Sequence, residues 1–255
     1  MFAVQYNRGK ERQQFKYQLE EHMDMLSGTI KTYEILFIMP RIELKITEIE
    51  KALGRIKKGK QPGPDRLKGK IYRSIKESEK LVLYLTQAYN AVLNEETVPE
   101  GWKGSKTVMI PKTVKPIAKE HRPIALTNVG YKIFMRLVKD KLLEHLTRNG
   151  LISDYQAGFT GGRRLEENLF VVRCCIEETY RLGKRLVVVA IDFEKAFDSV
   201  DRVALIRSLM YYKCDPTLID EILDLYVGDR TEIWWGGILV GDVKVTGGIR
   251  QGCTG

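Results

Sequence analysis

The chain has 255 residues, of which 44% are hydrophobic and 29% charged, a balance typical of globular proteins rather than disordered or fibrous ones. Its apolar runs are far shorter than the ~20 residues that span a bilayer, and the N-terminus has no apolar signal core. We therefore expect an intracellular protein, in the nucleus or the cytoplasm, without a membrane segment. The 42 Lys and Arg residues outnumber the 33 Asp and Glu residues, and the net charge of +9 favours a polyanion such as nucleic acid as a partner.

The four cysteines predict neither a disulfide framework nor a zinc site. Cys174 and Cys175 are adjacent on a predicted helix, where neighbouring residues do not face each other, and no C-x-x-C spacing occurs. A reducing compartment is therefore the default expectation.

The first part of the chain is predicted to be rich in helices. Residues 1–45 have mixed charge and no clear period, and we expect a lead-in that is helical or partly ordered. Thr47-Glu48-Ile49-Glu50 has the form of a capping box and predicts the start of a helix. This helix is expected to end within 57–65, where glycine and two prolines prevent its continuation. The next helix is predicted to bury one face, formed by Leu81, Leu85, Ala88 and Val92.

The middle of the chain predicts two strands, at 106–110 and 122–126, which form a hairpin-like unit with basic residues in its loop. Asn128 is expected to cap the helix that follows. After a glycine-rich loop at 151–164 and a further helix, a run of six apolar, mostly β-branched residues at 186–191 predicts a strand buried on both faces.

This apolar run ends at Asp192. An ionised carboxylate is costly to bury, so we expect Asp192 at the exposed end of the strand, where it can bind a metal or cap a turn. Two more helices are predicted, and the pattern at 231–245 indicates a hairpin that turns at Gly236-Gly237 or at Val240-Gly241-Asp242. Helices in the first part and strands in the second favour an α+β fold.

Six short motifs follow one another along the chain. They are Gly63-Pro64-Asp65, Ile110-Pro111-Lys112, Arg122-Pro123-Ile124, Gln156-Ala157-Gly158-Phe159, Ile191-Asp192 with Ala196-Phe197-Asp198, and Arg250-Gln251-Gly252-Cys253. In this order and rough spacing, over residues 45–255, they resemble the fingers and palm of reverse transcriptases of the non-LTR (LINE-type) retrotransposon family.

The resemblance implies a right-hand polymerase fold. After the lead-in at 1–45, helix-rich fingers would occupy 46–184. A partial palm would occupy 185–255, with the first part of an antiparallel sheet, helices on one face of it and no thumb.

The resemblance also implies an RNA-directed DNA polymerase, with an RNA template, a DNA primer and dNTPs as partners and no membrane. Deoxynucleotides would be added to a primer 3′-hydroxyl by a two-metal mechanism. Mg²⁺ is the expected ion, with Mn²⁺ as the alternative. Asp192 matches the family's first metal-binding aspartate, and the Phe193 carbonyl would complete the ligation from this strand. Without the family, a turn cap is the simpler interpretation of Asp192.

Four residues match positions near the incoming nucleotide in this family. Lys112 and Arg122 match basic residues that contact the triphosphate, a role that suits an ammonium and a guanidinium. Phe197 matches the bulky residue that screens the 2′ side of the sugar, and Gln251 matches a residue near the nucleotide and the template base. The alternatives are a solvated basic loop for the two cations, a core aromatic for Phe197 and an ordinary turn for Gln251.

Five more basic residues are candidates for contacts with nucleic acid: Lys57, Lys58, Lys60, Arg163 and Arg164. A solvated helix end explains the three lysines equally well. Two features depart from the family. The two arginines stand in a segment where the family has an arginine-proline-glycine form, and Arg66 follows Gly-Pro-Asp, where the family often has glycine.

The 255 residues contain no Asp-Asp pair, although the enzyme class needs paired aspartates on a hairpin after the Arg-Gln-Gly motif. We therefore expect a fragment that does not polymerise by itself. A non-catalytic nucleic-acid-binding remnant and a group II intron-type maturase are alternatives. An RNA-dependent RNA polymerase is another, but it would carry a polar residue in place of Phe197.

Overall fold

The computed structural model of the chain describes residues 38–94, 98–114 and 120–251. This part contains seven α-helices and one four-stranded sheet, which confirms the α+β class. The helices are α1 (Ile46–Gly54), α2 (Gly69–Ile75), α3 (Glu79–Leu93), α4 (Val129–Arg148), α5 (Leu165–Arg181), α6 (Arg202–Tyr211) and α7 (Pro216–Tyr226). The strands are β1 (Gly104–Pro111), β2 (His121–Leu126), β3 (Arg230–Trp235) and β4 (Ile238–Lys244). Most of the predicted lead-in lies outside the described residues.

The sheet has the order β2-β1-β3-β4 and joins two antiparallel hairpins side by side. The two hairpins meet through a parallel pair, in which Ser105 of β1 lies opposite Thr231 of β3. Within 185–255, where an antiparallel sheet was expected, β3 and β4 do pair antiparallel, and the parallel pair joins β3 to β1 of the predicted fingers. More than a hundred residues, including four helices, separate these two strands, so no short connection forces them to run in opposite directions.

The hairpin predicted near the end of the chain is confirmed as β3 and β4. Its turn is at Gly236-Gly237, the first of the two alternatives, and both glycines have positive φ, 57° and 86°. These values suit a two-residue turn whose twist matches that of the flanking strands.

The buried strand predicted at 186–191 is wrong. The segment has no strand hydrogen bonds, and its side chains are exposed, with Val187 and Ile191 each 84% accessible. An apolar strand stays buried only when neighbouring strands take up its backbone groups and other elements cover its faces. In the described part of the chain, neither edge of the sheet pairs with this segment. Helix α5, which precedes it, likewise has no buried side chain.

Five helices, α1, α3, α4, α6 and α7, pack around one hydrophobic core. Ile49, Leu53, Phe134, Ile206 and Leu218 are almost fully buried, and each such side chain contributes roughly 1.5–3 kcal/mol to folding. The predicted face of α3 is shifted by about one residue, because the buried side chains are Val82, Thr86, Tyr89, Val92 and Leu93. No helix in the described ranges is both long and apolar enough to cross a membrane.

Helix α1 begins at Ile46, slightly earlier than the predicted capping box implies. The Lys45 N–H donates to the Glu48 carboxylate at 2.9 Å, and Glu48 also pairs with Lys141 of α4 at 2.7 Å. Burial disfavours ionisation of Glu48, but the hydrogen bonds from Lys141 and Lys45 outweigh it and lower the pKa of this carboxyl. The acidic residue of the motif thus links α1 to α4.

The Gly63-Pro64-Asp65 turn, which precedes α2 in the chain, packs against Asn128 at the start of α4. Gly63 is buried so close to Asn128 that any Cβ on it would collide with that residue. The Asn128 side chain accepts a hydrogen bond from the Asp65 N–H at 3.2 Å and donates one to the Gly101 carbonyl at 2.7 Å. Asn128 is the N-cap residue of α4, as predicted, but its side chain makes no capping bond to the helix, because the amide is used across the turn.

Candidate functional site

The last described segment, residues 245–251, which we call the β4 loop, is bonded to two distant parts of the chain. The Ile249 N–H donates to the Phe197 carbonyl at 2.9 Å. The Ala125 N–H of β2 donates to the Gln251 carbonyl at 2.8 Å. The loop therefore brings together the backbone of Phe197, of Gln251 and of β2, the strand that also carries Arg122.

Gly248 allows the β4 loop to approach the turn at 194–199. Its φ is +71°, and a Cβ at this position would lie 2.8–2.9 Å from backbone atoms of Phe197 and Asp198. Only glycine combines this conformation with so close a backbone contact. The Phe197 side chain is half-buried and does not belong to the hydrophobic core, so the core-aromatic interpretation does not describe it.

A buried carboxylate holds the base of the β4 loop. Asp229, which is fully buried, accepts hydrogen bonds from Arg202 at 2.9 Å and from Arg250 at 2.6 Å. Both guanidinium side chains are at most 7% exposed. Two cations around one carboxylate leave an excess of positive charge, and backbone carbonyls supply the remaining acceptors.

The carbonyls around these two arginines belong to the segments that the cluster joins. Arg202 donates to Gly248 at 2.8 Å and to Val245 at 3.0 Å, both in the β4 loop. Arg250 donates to Trp102 and Lys103, each at 2.8 Å, at the start of β1. The buried cluster thus fixes the loop against the sheet that carries the β1–β2 hairpin.

No sequence motif marks Asp229, Arg202 or the side chain of Arg250 as functional. Asp229 follows Gly228 in a turn, where an aspartate is ordinary, and Arg202 opens a helix. The sequence gives only a weak indication that Arg250 is buried. It is a charged residue next to apolar Ile249, in a motif where the predicted role belongs to Gln251. The pairing itself depends on residues 21 and 27 positions apart.

Lys112 and Arg122 lie at the same end of the β1–β2 hairpin. Arg122 stands opposite Ile110 in the strand register, and the Lys112 N–H donates to the Glu120 carbonyl at 2.8 Å. Both side chains are exposed, and within the described ranges neither forms an ion pair. Two unneutralised cations at one hairpin end can receive an anionic group such as a phosphate.

Asp192 and Phe193 are exposed and precede the turn that carries Phe197. No turn-capping hydrogen bond to Asp192 is found in the described part of the chain. The described residues also contain no group of three or more His, Cys, Asp or Glu side chains able to hold a metal ion. One carboxylate and one carbonyl fit two of the oxygen ligands of a single Mg²⁺ ion, but these residues do not build a two-ion site.

The basic candidates differ in their surroundings. Arg163 lies 3.7 Å from Asp154 and 3.9 Å from Glu167, so nearby carboxylates partly neutralise it. Arg164 is exposed at the start of α5. The three lysines at 57, 58 and 60 are exposed in the segment after α1, and among the described residues none of them has such a partner.

A family model described as reverse transcriptase (RNA-dependent DNA polymerase) matches residues 110–255. The chain is also similar to the probable RNA-directed DNA polymerase from transposon BS of Drosophila melanogaster, at 27% identity over 215 residues. That alignment covers 84% of this chain and 23% of the relative.

Two further relatives are similar over much of the chain. The probable RNA-directed DNA polymerase from transposon X-element of Drosophila melanogaster is 25% identical over 238 residues, which is 92% of this chain and 25% of the relative. The Pol polyprotein from the type-1 retrotransposable element R2 of Nasonia vitripennis is 26% identical, over 74% of this chain and 18% of its own length. The chain thus spans a quarter or less of these curated relatives. It belongs to the reverse transcriptase (RNA-dependent DNA polymerase) family, as a LINE-type member related to those of non-LTR retrotransposons.

Proposed function

We propose that the chain is the nucleotide- and template-binding part of a LINE-type RNA-directed DNA polymerase. The observation that carries the proposal is the bonding of the β4 loop, which joins Phe197, Gln251 and strand β2 through backbone hydrogen bonds. These are the segments that hold the residues matched to the incoming deoxynucleotide. The parent reaction is the template-directed addition of a dNTP to a primer 3′-hydroxyl, with release of pyrophosphate.

In this proposal Arg122 and Lys112 bind the triphosphate. Arg122 can hold two phosphate oxygens with its planar guanidinium, and Lys112 supplies a mobile point charge. Both are exposed and carry unneutralised charge, which supports the role. Phe197 screens the 2′ side of the sugar, and Gln251 lies near the base. Asp198 orients the backbone of the turn.

Asp192 and the Phe193 carbonyl are proposed as ligands of a divalent ion, Mg²⁺ or Mn²⁺. When bound, such ions neutralise phosphate charge and lower the barrier to attack on the phosphoryl group. The described residues contribute only one carboxylate to this position, and a pair of ions needs more. The 255 residues alone are therefore expected not to extend a primer.

Primer extension on an RNA template tests the proposal, with a longer protein that contains these residues and is active. Asp192→Asn is expected to abolish extension while leaving RNA binding intact. Phe197→Ala is expected to keep extension with dNTPs and to admit ribonucleotides. Retained extension by Asp192→Asn, or unchanged sugar discrimination by Phe197→Ala, would refute the assigned roles. Robust extension by the 255 residues alone would refute the expected inactivity of this part.

The net charge of +9 also fits a second candidate function, in which the chain binds nucleic acid without polymerising. The two functions differ in one readout. A nucleic-acid-binding remnant would bind RNA but show no preference for a nucleoside triphosphate over a monophosphate. A polymerase part would bind RNA and would also prefer a nucleoside triphosphate to a monophosphate.

A further inference from the structure

Residues 186–191, which we call the apolar segment, lie on the surface without a pairing partner. Within the described part of the chain, no backbone group from 185 to 192 takes part in a backbone hydrogen bond. The side chains are exposed, from 42% for Leu186 to 84% for Val187 and Ile191. The segment is mostly β-branched and has no charge and no proline, and an unpaired stretch of this composition is a template on which another strand can pair.

Helix α5 adds a second exposed apolar surface directly before the apolar segment. At the end of the helix, Gly183 has φ +60° and its N–H donates to the Tyr180 carbonyl at 3.1 Å. The Lys184 N–H donates to the Thr179 carbonyl at 3.0 Å. These two bonds form a Schellman motif, so the segment starts at an ordered helix end. The exposed apolar face of α5 consists of Leu165, Leu169, Val172 and Ile176.

The two surfaces together offer enough area for a stable interface. Burying an apolar side chain removes on the order of 100 Å² from water, so the six side chains of the segment and the four of α5 offer roughly 1,000 Å². A stable interface buries about 800 Å² on each side. A second copy of the chain presents the same two surfaces and therefore supplies a matching area.

The charges at its two ends make the apolar segment complementary to itself. Lys184 and Asp192 are exposed, and within the described ranges neither side chain forms an ion pair. In a two-fold symmetric antiparallel pair centred on Val188, Lys184 of each copy lies opposite Asp192 of the other. This register places an opposite-charge pair at each end of an apolar centre, which stabilises a strand pair. Parallel pairing would instead place like charges beside each other.

We propose that two copies of the chain associate through this surface. Their apolar segments pair antiparallel about Val188, and the exposed face of each α5 covers the resulting ribbon. A two-stranded ribbon alone is marginally stable in water, and the helices supply the cover that it needs. The inference does not rest on the proposed function, since no nucleotide, template or metal ion takes part. A chain in this dimer would, however, use the Asp192 carboxylate for Lys184 of the other copy instead of an ion.

Analytical ultracentrifugation of the full 255-residue chain tests the proposal, over roughly 1–100 µM and with EDTA but no nucleotide or nucleic acid. The expected result is a reversible rise from the mass of one chain to that of two as the concentration increases. A single chain over the whole range would overturn the proposal and leave the surface to a different partner. Assemblies larger than two chains would overturn the two-fold arrangement.

Lys184→Glu and Asp192→Lys test the register. Each variant turns both opposite-charge pairs of the dimer into like-charge pairs, which should weaken association by about tenfold or more. An equimolar mixture of the two variants restores opposite charges at both ends and should associate within about threefold of the unchanged chain. Weak association of the mixture would contradict antiparallel pairing in this register.

Val188→Asp tests the centre of the interface. Two carboxylates would face each other on the two-fold axis between apolar side chains, so association should be lost over the whole concentration range. The matched control is Val114→Asp, because Val114 is 98% exposed in another part of the chain. This control should associate like the unchanged chain, and circular dichroism checks that both variants remain folded. Equal losses in the two variants would overturn the proposal and indicate only a general effect of net charge.

Discussion

The Arg202 guanidinium lies 2.9 Å from the Asp229 carboxylate, and their side chains are 7% and 0% exposed. This pair anchors the loop that joins Phe197 and Gln251. Asp229→Asn would leave two buried guanidiniums without their counter-charge, and breaking such a buried arrangement lowers the free energy of unfolding by about 3–5 kcal/mol. Urea denaturation measures this loss.

The matched control for Asp229→Asn is Asp242→Asn. Asp242 also pairs with an arginine at 2.9 Å, but both partners are about half exposed, and such pairs contribute about 0–1 kcal/mol. Losses of similar size in the two variants would contradict the anchoring role of Asp229.

Gly248→Ala is expected to separate the β4 loop from the turn of Phe197. The new Cβ would meet backbone, and the residue would be held at φ +71°, which together destabilise the chain by about 1–3 kcal/mol. Amide hydrogen exchange should show faster exchange at Ile249, whose N–H bonds to Phe197. Gly241→Ala is the control, because open space surrounds that glycine. Unchanged protection at Ile249 would count against the close packing.

Arg66→Gly is expected to stabilise the chain. Arg66 follows Gly-Pro-Asp and has φ +58°, a left-handed conformation that costs a non-glycine residue roughly 1–2 kcal/mol. Glycine removes this strain, but its greater conformational freedom in the unfolded state costs about 0.5–1 kcal/mol, so the net gain is up to about 1.5 kcal/mol. A lower midpoint in thermal denaturation would show that the arginine side chain contributes more than its backbone strain.

The Cys214 thiol is expected to react slowly with iodoacetamide. Burial, and then the nearby Asp215 carboxylate, raise its pKa from 9.0 to about 11. Cys174 and Cys175 are exposed and serve as internal controls. Peptide mass spectrometry at a pH of about 8.5 should show alkylation of the exposed pair long before Cys214, because only the thiolate reacts. Equal rates would contradict the burial of Cys214.

The raised pKa of Cys214 also makes the free energy of unfolding depend on pH. The unfolded thiol ionises near 9.0 and the folded thiol near 11, so the folded state favours the neutral form. Its contribution to stability is complete below pH 9 and is lost as pH rises from 9 to 11.

Local patterns predicted the regular elements well and the long-range contacts poorly. Helix α4 and the β3–β4 hairpin follow from apolar periodicity and a Gly-Gly turn, which act between near neighbours. The strand at 186–191 was wrong because an apolar run reports a preference for burial but not the partners that provide it. The role of Asp229 was not predicted, because it depends on two arginines that lie next to it only in the folded chain.

For the motif residues, the sequence predicted their importance but not the contacts that explain it. Gly63 was in a recognisable motif and Gly248 was not, and the reason for each glycine became visible only from the residues that pack against it. The roles of Lys112, Arg122, Phe197 and Gln251 remain predictions, supported by the way the β4 loop connects their segments.

The central claim, a dNTP site at the hairpin end and the β4 loop, is tested most directly by calorimetric binding of dATP and dAMP to the purified chain and to Arg122→Ala. A charge-assisted hydrogen bond is worth about 1.5–3 kcal/mol, so Arg122→Ala should weaken dATP binding by about tenfold or more and leave dAMP binding unchanged. Lys80→Ala, an exposed lysine on α3, should change neither. Equal affinity of the chain for dATP and dAMP, or an unchanged dATP affinity in Arg122→Ala, would contradict the site.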